Sequence, residues 1–293
     1  MNLPFRLKMA RQKAEAYLRD NDQTSLPVDP FAIAAKHEIE VRAKPDTAEG
    51  VSGMLLRHGD TFGILYATHL NNKGFENFSV GHELGHYFLD GHVDHVLPRD
   101  GIHESHAGFV SADPFELEAD NFSAGLLMPE TPFKRELNRR RPGLGTVEHM
   151  AELCVTSLTA TAIRYAQLSG DAVAVIVSTG KSVDYCFMSD AMKSLPQLSW
   201  LRKGAPVPAN TETARLIADP TNVLQGARSS TETDVMDWLG GTRSAPVTED
   251  VVGLGRYGKT LTVLSSEAIG QEDEEEEGEE DTFDRWSSPR FRR

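Results

Sequence analysis

The sequence contains no run of eighteen consecutive apolar residues, so no segment reads as a membrane-spanning helix. Its opening, MNLPFRLKMARQKAEAYLRD, lacks the apolar centre of a secretory signal and reads as a polar helix, which points to a cytoplasmic chain. Only two cysteines occur, Cys154 and Cys186, too few and too far apart in sequence for a thiolate zinc site of their own. Both are expected to stay reduced. Basic residues are also scarce: 30 Lys and Arg stand against 44 Asp and Glu, a net charge of −14. Residues 271–293 hold ten of those acids against four arginines, a net of −6, which leaves −8 for the other 270 residues. Neither part has the basic stripe of an autonomous nucleic-acid binder, so direct nucleic-acid binding is not expected. The acidic run is of low complexity and self-repelling, and we expect residues 269–293 to form a disordered tail.

What is present suits packed cores, since 39% of the residues are hydrophobic and the length allows one large domain or two smaller ones. Residues 5–20 place Leu7, Ala10, Ala14 and Leu18 on one side of a helix. Asp29 before Pro30 reads as an N-cap with proline at the first helical position. The segment EIEVRAK alternates like a strand. Two apolar runs around His58-Gly59-Asp60 predict a hairpin. A helix over about Glu76 to Leu89 follows, with Gly91 suited to its C′ position.

That helix carries FSVGHELGHYFLDGH, residues 78–92, in which His82 and His86 stand four apart. On a helix this spacing puts both imidazoles on one face, one turn apart. Glu83 sits about 100° round the axis, placed to reach a metal-bound water rather than the metal. Two neutral imidazoles, an anionic third ligand and a water make a catalytic zinc site, in which the water's pKa falls to about 7 and the glutamate takes its proton. The bland alternative is a solvated polar helix face. A second helix, from Asp113-Pro114 to Met128-Pro129, offers the missing carboxylate. Glu116 and Asp120 are again i and i+4: Glu116 suits a metal ligand, and Asp120 suits an acceptor for the second N–H of a ligand histidine. Glu118 points to a different face. The competing reading makes Glu116 the N3 partner of an Asp113 capping box.

HELGH followed thirty residues after His86 by Glu116 in ELEADNFSAGLLMP resembles the ImmA/IrrE family of bacterial zinc metallopeptidases. The likeness covers about residues 25–135. It implies one zinc per chain held by His82, His86 and Glu116, with Glu83 as general base; Glu118 is the weaker match for the third ligand. Ser123 stands where the family often has alanine. The stretch TVEHMAELCVTSLTATAIRYAQL resembles the helix-turn-helix-like segment that follows the peptidase domain in IrrE, with a turn at residues 155–157. It carries one Arg and no Lys, so a packing pair of helices is favoured over DNA contact. Beyond it, a strand, a Gly180 turn and a second strand, then LRKGAPVPANTETARLI and GKTLTVLSSEAI, resemble the GAF-like domain of IrrE.

The expected fold is therefore α+β: a zincin-like peptidase domain over residues 1–141, helix-turn-helix-like helices over 142–169, a GAF-like regulatory domain over 170–268, and the tail. The resemblance implies a substrate class, a helix-turn-helix repressor of the XRE type, whose cleavage switches on stress or mobile-element genes. The strand GILYATH is a candidate for pairing with the substrate chain. His69, His92, His95, His103 and His106 read as a polar loop over the site mouth; His103, His106 and Tyr87 are candidates to steady an oxyanion. Two other classes compete: a regulator that sequesters a repressor around a structural zinc, and a DNA-binding regulator working through residues 146–168.

Overall fold

The computed structural model describes residues 2–44, 50–97, 100–106, 113–242 and 244–266. The expected disordered tail lies outside the described residues. By its internal contacts the chain divides into two compact units, residues 1–139 with 148–164, and residues 140–147 with 165 onward. Each unit has its own sheet, in keeping with the expected mixed α+β class.

In the first unit, α1 (Leu3–Asp20) starts at Asn2, whose side chain accepts from the Phe5 N–H. It buries Ala10, Ala14 and Leu18, while Leu7 is half-buried. Asp29 accepts from the Phe31 and Ala32 N–H groups and opens α2 (Pro30–Lys36). The strands β1 (Glu40–Ala43), β2 (Val51–His58) and β3 (Thr61–Tyr66) follow. His58 pairs with Thr61, so Gly59-Asp60 forms the expected two-residue turn. Next come α3 (Lys73–Phe88), α4 (His92–Val96), β4 (Asp100–His106), α5 (Pro114–Leu127) and α6 (Glu130–Leu137). The sheet order is β1-β3-β2-β4, with β1 parallel to β3 and the other pairs antiparallel. Val80 and Leu84 of α3, Phe122 and Leu126 of α5, and the buried face of α1 share one core with Leu55 and Ile64 of the sheet.

Three local expectations need correction. Helix α3 starts three residues early, capped by Asn72, and stops at Phe88 where Leu89 turns extended. Gly91, with φ 80°, serves as the N-cap of α4 rather than the C′ residue of α3. Residues 100–106 are a strand, not a loop. The period-2 pattern there is inverted: Ile102 is 60% exposed while Ser105 is buried, so the hydrophobic signal of a strand is missing.

Helices α3 and α5 pack backbone to backbone. Gly81 and Gly85 face Ser123 and Ala119; a methyl on Gly81 would stand 2.6 Å from Ser123 Oγ, and one on Gly85 3.0 Å from Ala119 Cα. Ser123, whose hydroxyl donates to the Phe78 carbonyl, thus occupies space that the missing Gly81 side chain leaves. The close approach lets the short carboxylates of α5 reach the histidines of α3.

The helices α7 (Leu144–Cys154) and α8 (Leu158–Leu168) are joined at residues 155–157 as expected. This turn packs on the start of α3: Asn77 donates to the Val155 carbonyl, and a side chain at Gly74 would strike the Thr156 backbone. Arg164, the one arginine of residues 146–168, is buried and donates to the Met128 carbonyl and to Glu15. Cys154 and Cys186 are both free.

The second unit is built on β5 (Ala172–Thr179), β6 (Ser182–Met188), β7 (Arg228–Asp234), β8 (Pro246–Gly253) and β9 (Lys259–Ser266), antiparallel throughout in the order β6-β5-β9-β8-β7. Its first and last strands in sequence meet at the centre. The short helices α9 (Asp190–Ser194), α10 (Glu212–Ile217), α11 (Pro220–Leu224) and α12 (Val235–Leu239) accompany the sheet, and Trp238 and Leu239 join Ile176, Val183 and Leu264 in its core. This topology is compatible with the expected GAF-like domain.

Candidate metal centre

On α3 the rings of His82 and His86 lie with centroids 4.9 Å apart, and their Nε2 atoms face each other at 3.1 Å. From α5, Glu116 brings Oε2 to 3.3 Å from His82 Nε2 and Oε1 to 3.2 Å from His86 Nε2. One donor atom from each of the three residues falls within 4.8 Å of the others. One turn along α5, Asp120 Oδ1 lies 2.9 Å from His82 Nδ1. Asp113 caps α5 by accepting from the Phe115 N–H, and Glu116 faces the histidines rather than closing a capping box. Glu118 stays off the cluster and pairs instead with Arg6 and His92.

Glu83 is fully buried, and among the described residues neither carboxylate oxygen has a hydrogen-bond partner. The Ser105 hydroxyl is its polar neighbour but lacks hydrogen-bond geometry to it. Burial pushes the Glu83 carboxyl up to about 7, held back only in part by His82. The side chain lies against β2, where a Cβ at Gly53 would stand 2.5 Å from Glu83 Oε1. Burial opposes charge on His82, but its bonds to Asp120 and Glu116 prevail and lift it to about 10. Burial, with His82 beside it, pushes His86 down to about 3 despite Glu116. Burial of Glu116 is outweighed by His103, His82 and His86, which hold its carboxyl far below the usual range. Imidazole nitrogens and a carboxylate are the donors zinc takes in catalytic sites, so the residues fit the expected metal.

Two histidines read as loop residues belong to this environment. His103 on β4 places Nε2 2.9 Å from Glu116 Oε1. His92 on α4 is 1% exposed and contacts His86. His95 instead stacks on Phe115, with centroids 3.7 Å apart, and Tyr87 packs against Phe62 and Phe88. Only the inverted polar pattern of residues 101–105 marked His103 in the sequence. His92, six residues after His86, lies beyond the helix and gave no periodic signal.

Residues 34–162 match the family model described as the IrrE N-terminal-like domain. The match takes in β1 to β4 and all of α3 and α5. No curated protein matches the sequence. A solved structure described as a Mycobacterium tuberculosis transcriptional regulator is similar in fold, with a TM-score of 0.54 at 14% identity, over 88% of this chain and 76% of that one.

Proposed function

We propose that the first unit is a zinc endopeptidase that cleaves a helix-turn-helix repressor of the XRE type in the cytoplasm, with His82, His86 and Glu116 as metal ligands. The observation that supports it is Glu83: a buried carboxylate with no hydrogen-bond partner among the described residues, beside a three-donor cluster. Such a group is costly to bury unless the site uses it. Zinc, when bound, supplies Lewis acidity toward a peptide carbonyl and acidifies water. Glu83 would take a proton from the attacking water at a carboxylate oxygen and return it to the amine nitrogen released as the peptide C–N bond breaks. His103, whose Nε2 lies on Glu116 Oε1, is the candidate to donate toward an oxyanion. Asp120 holds the Nδ1 proton of His82 and keeps Nε2 for the metal. Strand β3 has β1 on one side and β2 on the other, which removes GILYATH as a pairing edge; β4, the edge beside the site, takes that role for an extended substrate. The repressor class follows from the family resemblance and accords with the regulator that shares the fold.

The test is Glu83→Gln. It should retain about one zinc per chain and lose cleavage of the repressor encoded nearest its gene by orders of magnitude. Unchanged cleavage would remove Glu83 from the mechanism.

A second reading has one observation in its favour. His103 Nε2 bonds to Glu116 Oε1 from outside the three-donor cluster; a shift of His103 toward the cluster would add a fourth ligand and close the site, which would make the zinc structural and the protein a non-cleaving regulator. Loss of zinc in His103→Ala would favour this reading; retained zinc with lost cleavage would favour the peptidase. The DNA-binding reading gains nothing comparable, because Arg164 is buried in a pair with Glu15.

A further inference from the structure

His86 has two ring nitrogens, and only Nε2 faces the donor cluster. Its Nδ1 lies 3.2 Å from Nδ1 of His92. On the far side of the His92 ring, Nε2 lies 2.8 Å from Glu118 Oε2. The other oxygen of Glu118 is held by the Arg6 guanidinium, which also sits over the Phe115 ring at 5.1 Å. Phe115 in turn meets the His92 ring edge to face at 4.9 Å. One line of side chains from α1, α5 and α4 thus ends on the outer nitrogen of a ring in α3.

The protons along this line follow from donor and acceptor inventory. A carboxylate paired with a guanidinium accepts, so the hydrogen of a neutral His92 is on Nε2. That leaves a lone pair on His92 Nδ1, which accepts from His86 only if His86 carries its hydrogen on Nδ1. The lone pair of His86 then lies on Nε2, beside Glu116. The partners of the two histidines differ: a carboxylate contacts His82 directly, whereas an imidazole stands between His86 and its carboxylate.

We propose that Arg6, Glu118 and His92 are positioning residues, a relay that fixes His86 as its Nδ1–H tautomer and thereby sets the metal affinity of the site. The relay rests on the metal-centre reading above. It makes a residue of the N-terminal helix, partly open to solvent, a determinant of how tightly the site binds its ion. Metal-ligating histidines depend on such partners for 10–100-fold in affinity by order of magnitude, about what is expected here.

The experiment measures the Zn2+ dissociation constant of the full chain by chelator competition and the visible absorption of its Co2+ form, alongside the melting temperature of the metal-free protein. His92→Ala should weaken Zn2+ binding by about 10–100-fold and shift the Co2+ bands. His92→Asn, whose carbonyl oxygen stands where His92 Nδ1 was, should recover most of the loss. Glu118→Ala should weaken binding by a smaller factor and add nothing to His92→Ala, because both act through one contact. The relay is overturned if His92→Ala binds Zn2+ like wild type, if Asn restores nothing, or if the His92 and Glu118 losses simply add. Should His92→Ala not fold, Glu118→Gln and Glu118→Ala decide: wild-type affinity in both overturns the relay. A wild-type chain that takes up neither Zn2+ nor Co2+ overturns the metal-centre reading and the relay with it; uptake by wild type with unchanged variants overturns the relay alone.

Discussion

Glu83 owes its position to the absence of a side chain at residue 53. The carboxylate lies against the β2 backbone, and a Cβ there would stand 2.5 Å from Glu83 Oε1. Gly53→Ala should therefore displace the base while leaving the ligands alone. The expected outcome is unchanged zinc content with cleavage down by about 10–100-fold, since small misplacements of a reacting group cost that much. Metal analysis beside single-turnover cleavage checks it; equal activity would mean that Glu83 has room to yield. Asp120→Asn acts on the metal instead. It keeps an oxygen near His82 Nδ1 but loses the charge, and zinc affinity should fall by about 10–100-fold. A zinc-competition titration of the purified variant reads this directly.

At the scale of elements, the site depends on how closely α5 approaches α3. Gly85 meets Ala119 with no space for a methyl. Gly85→Ala should push α5 outward, carrying Glu116 with it. Overpacking of this kind costs about 1–3 kcal/mol, and zinc affinity should fall together with stability. Urea unfolding with and without chelator separates the two losses. Gly145 on α7 makes the control, because a Cβ there meets nothing within 4 Å. Gly145→Ala should be neutral or stabilising by up to about 1 kcal/mol, as expected for alanine in a helix. A large loss at Gly145 would show that local space does not govern these substitutions. The turn of α7 and α8 is read in the same way: its contacts with Gly74 and Asn77 make it part of the support of α3.

For the whole molecule, each unit carries a hydrophobic core of its own among the described residues. Zinc should stabilise the first unit by linkage, about 4 kcal/mol at a free concentration a thousand times its dissociation constant. Calorimetry of wild type and His86→Ala, each with zinc and with chelator, tests this; a zinc-dependent transition that persists in His86→Ala would place the metal elsewhere. None of the proposed ligands comes from the second unit, and we propose that residues 170–268 control when or on what the peptidase acts. Coupling of this kind is typically about 1–3 kcal/mol. A chain ending near Gly170 keeps α7 and α8 whole. It should still cleave an unstructured peptide, while its cleavage of the intact repressor should change several-fold. Equal rates on the intact repressor under every condition tried would reduce the second unit to scaffold.

The sequence by itself determined whatever rests on spacing within one element. His82 and His86 share a face because they are one helical turn apart, and Asp29, Asp113 and the Gly59-Asp60 turn announced their elements through local backbone chemistry. The pairing of Glu116 and Asp120 with those histidines was legible because both helices carry the same four-residue period. Tertiary structure decided the rest. His103 comes from a strand whose inward positions are polar, and His92 from a helix of five residues too short to show a period. Arg6 reaches the site across 112 residues of sequence through Glu118. No local pattern encodes such contacts, because they depend on the packing distance between helices, and that distance is set by glycines whose effect appears only when the second helix is in place.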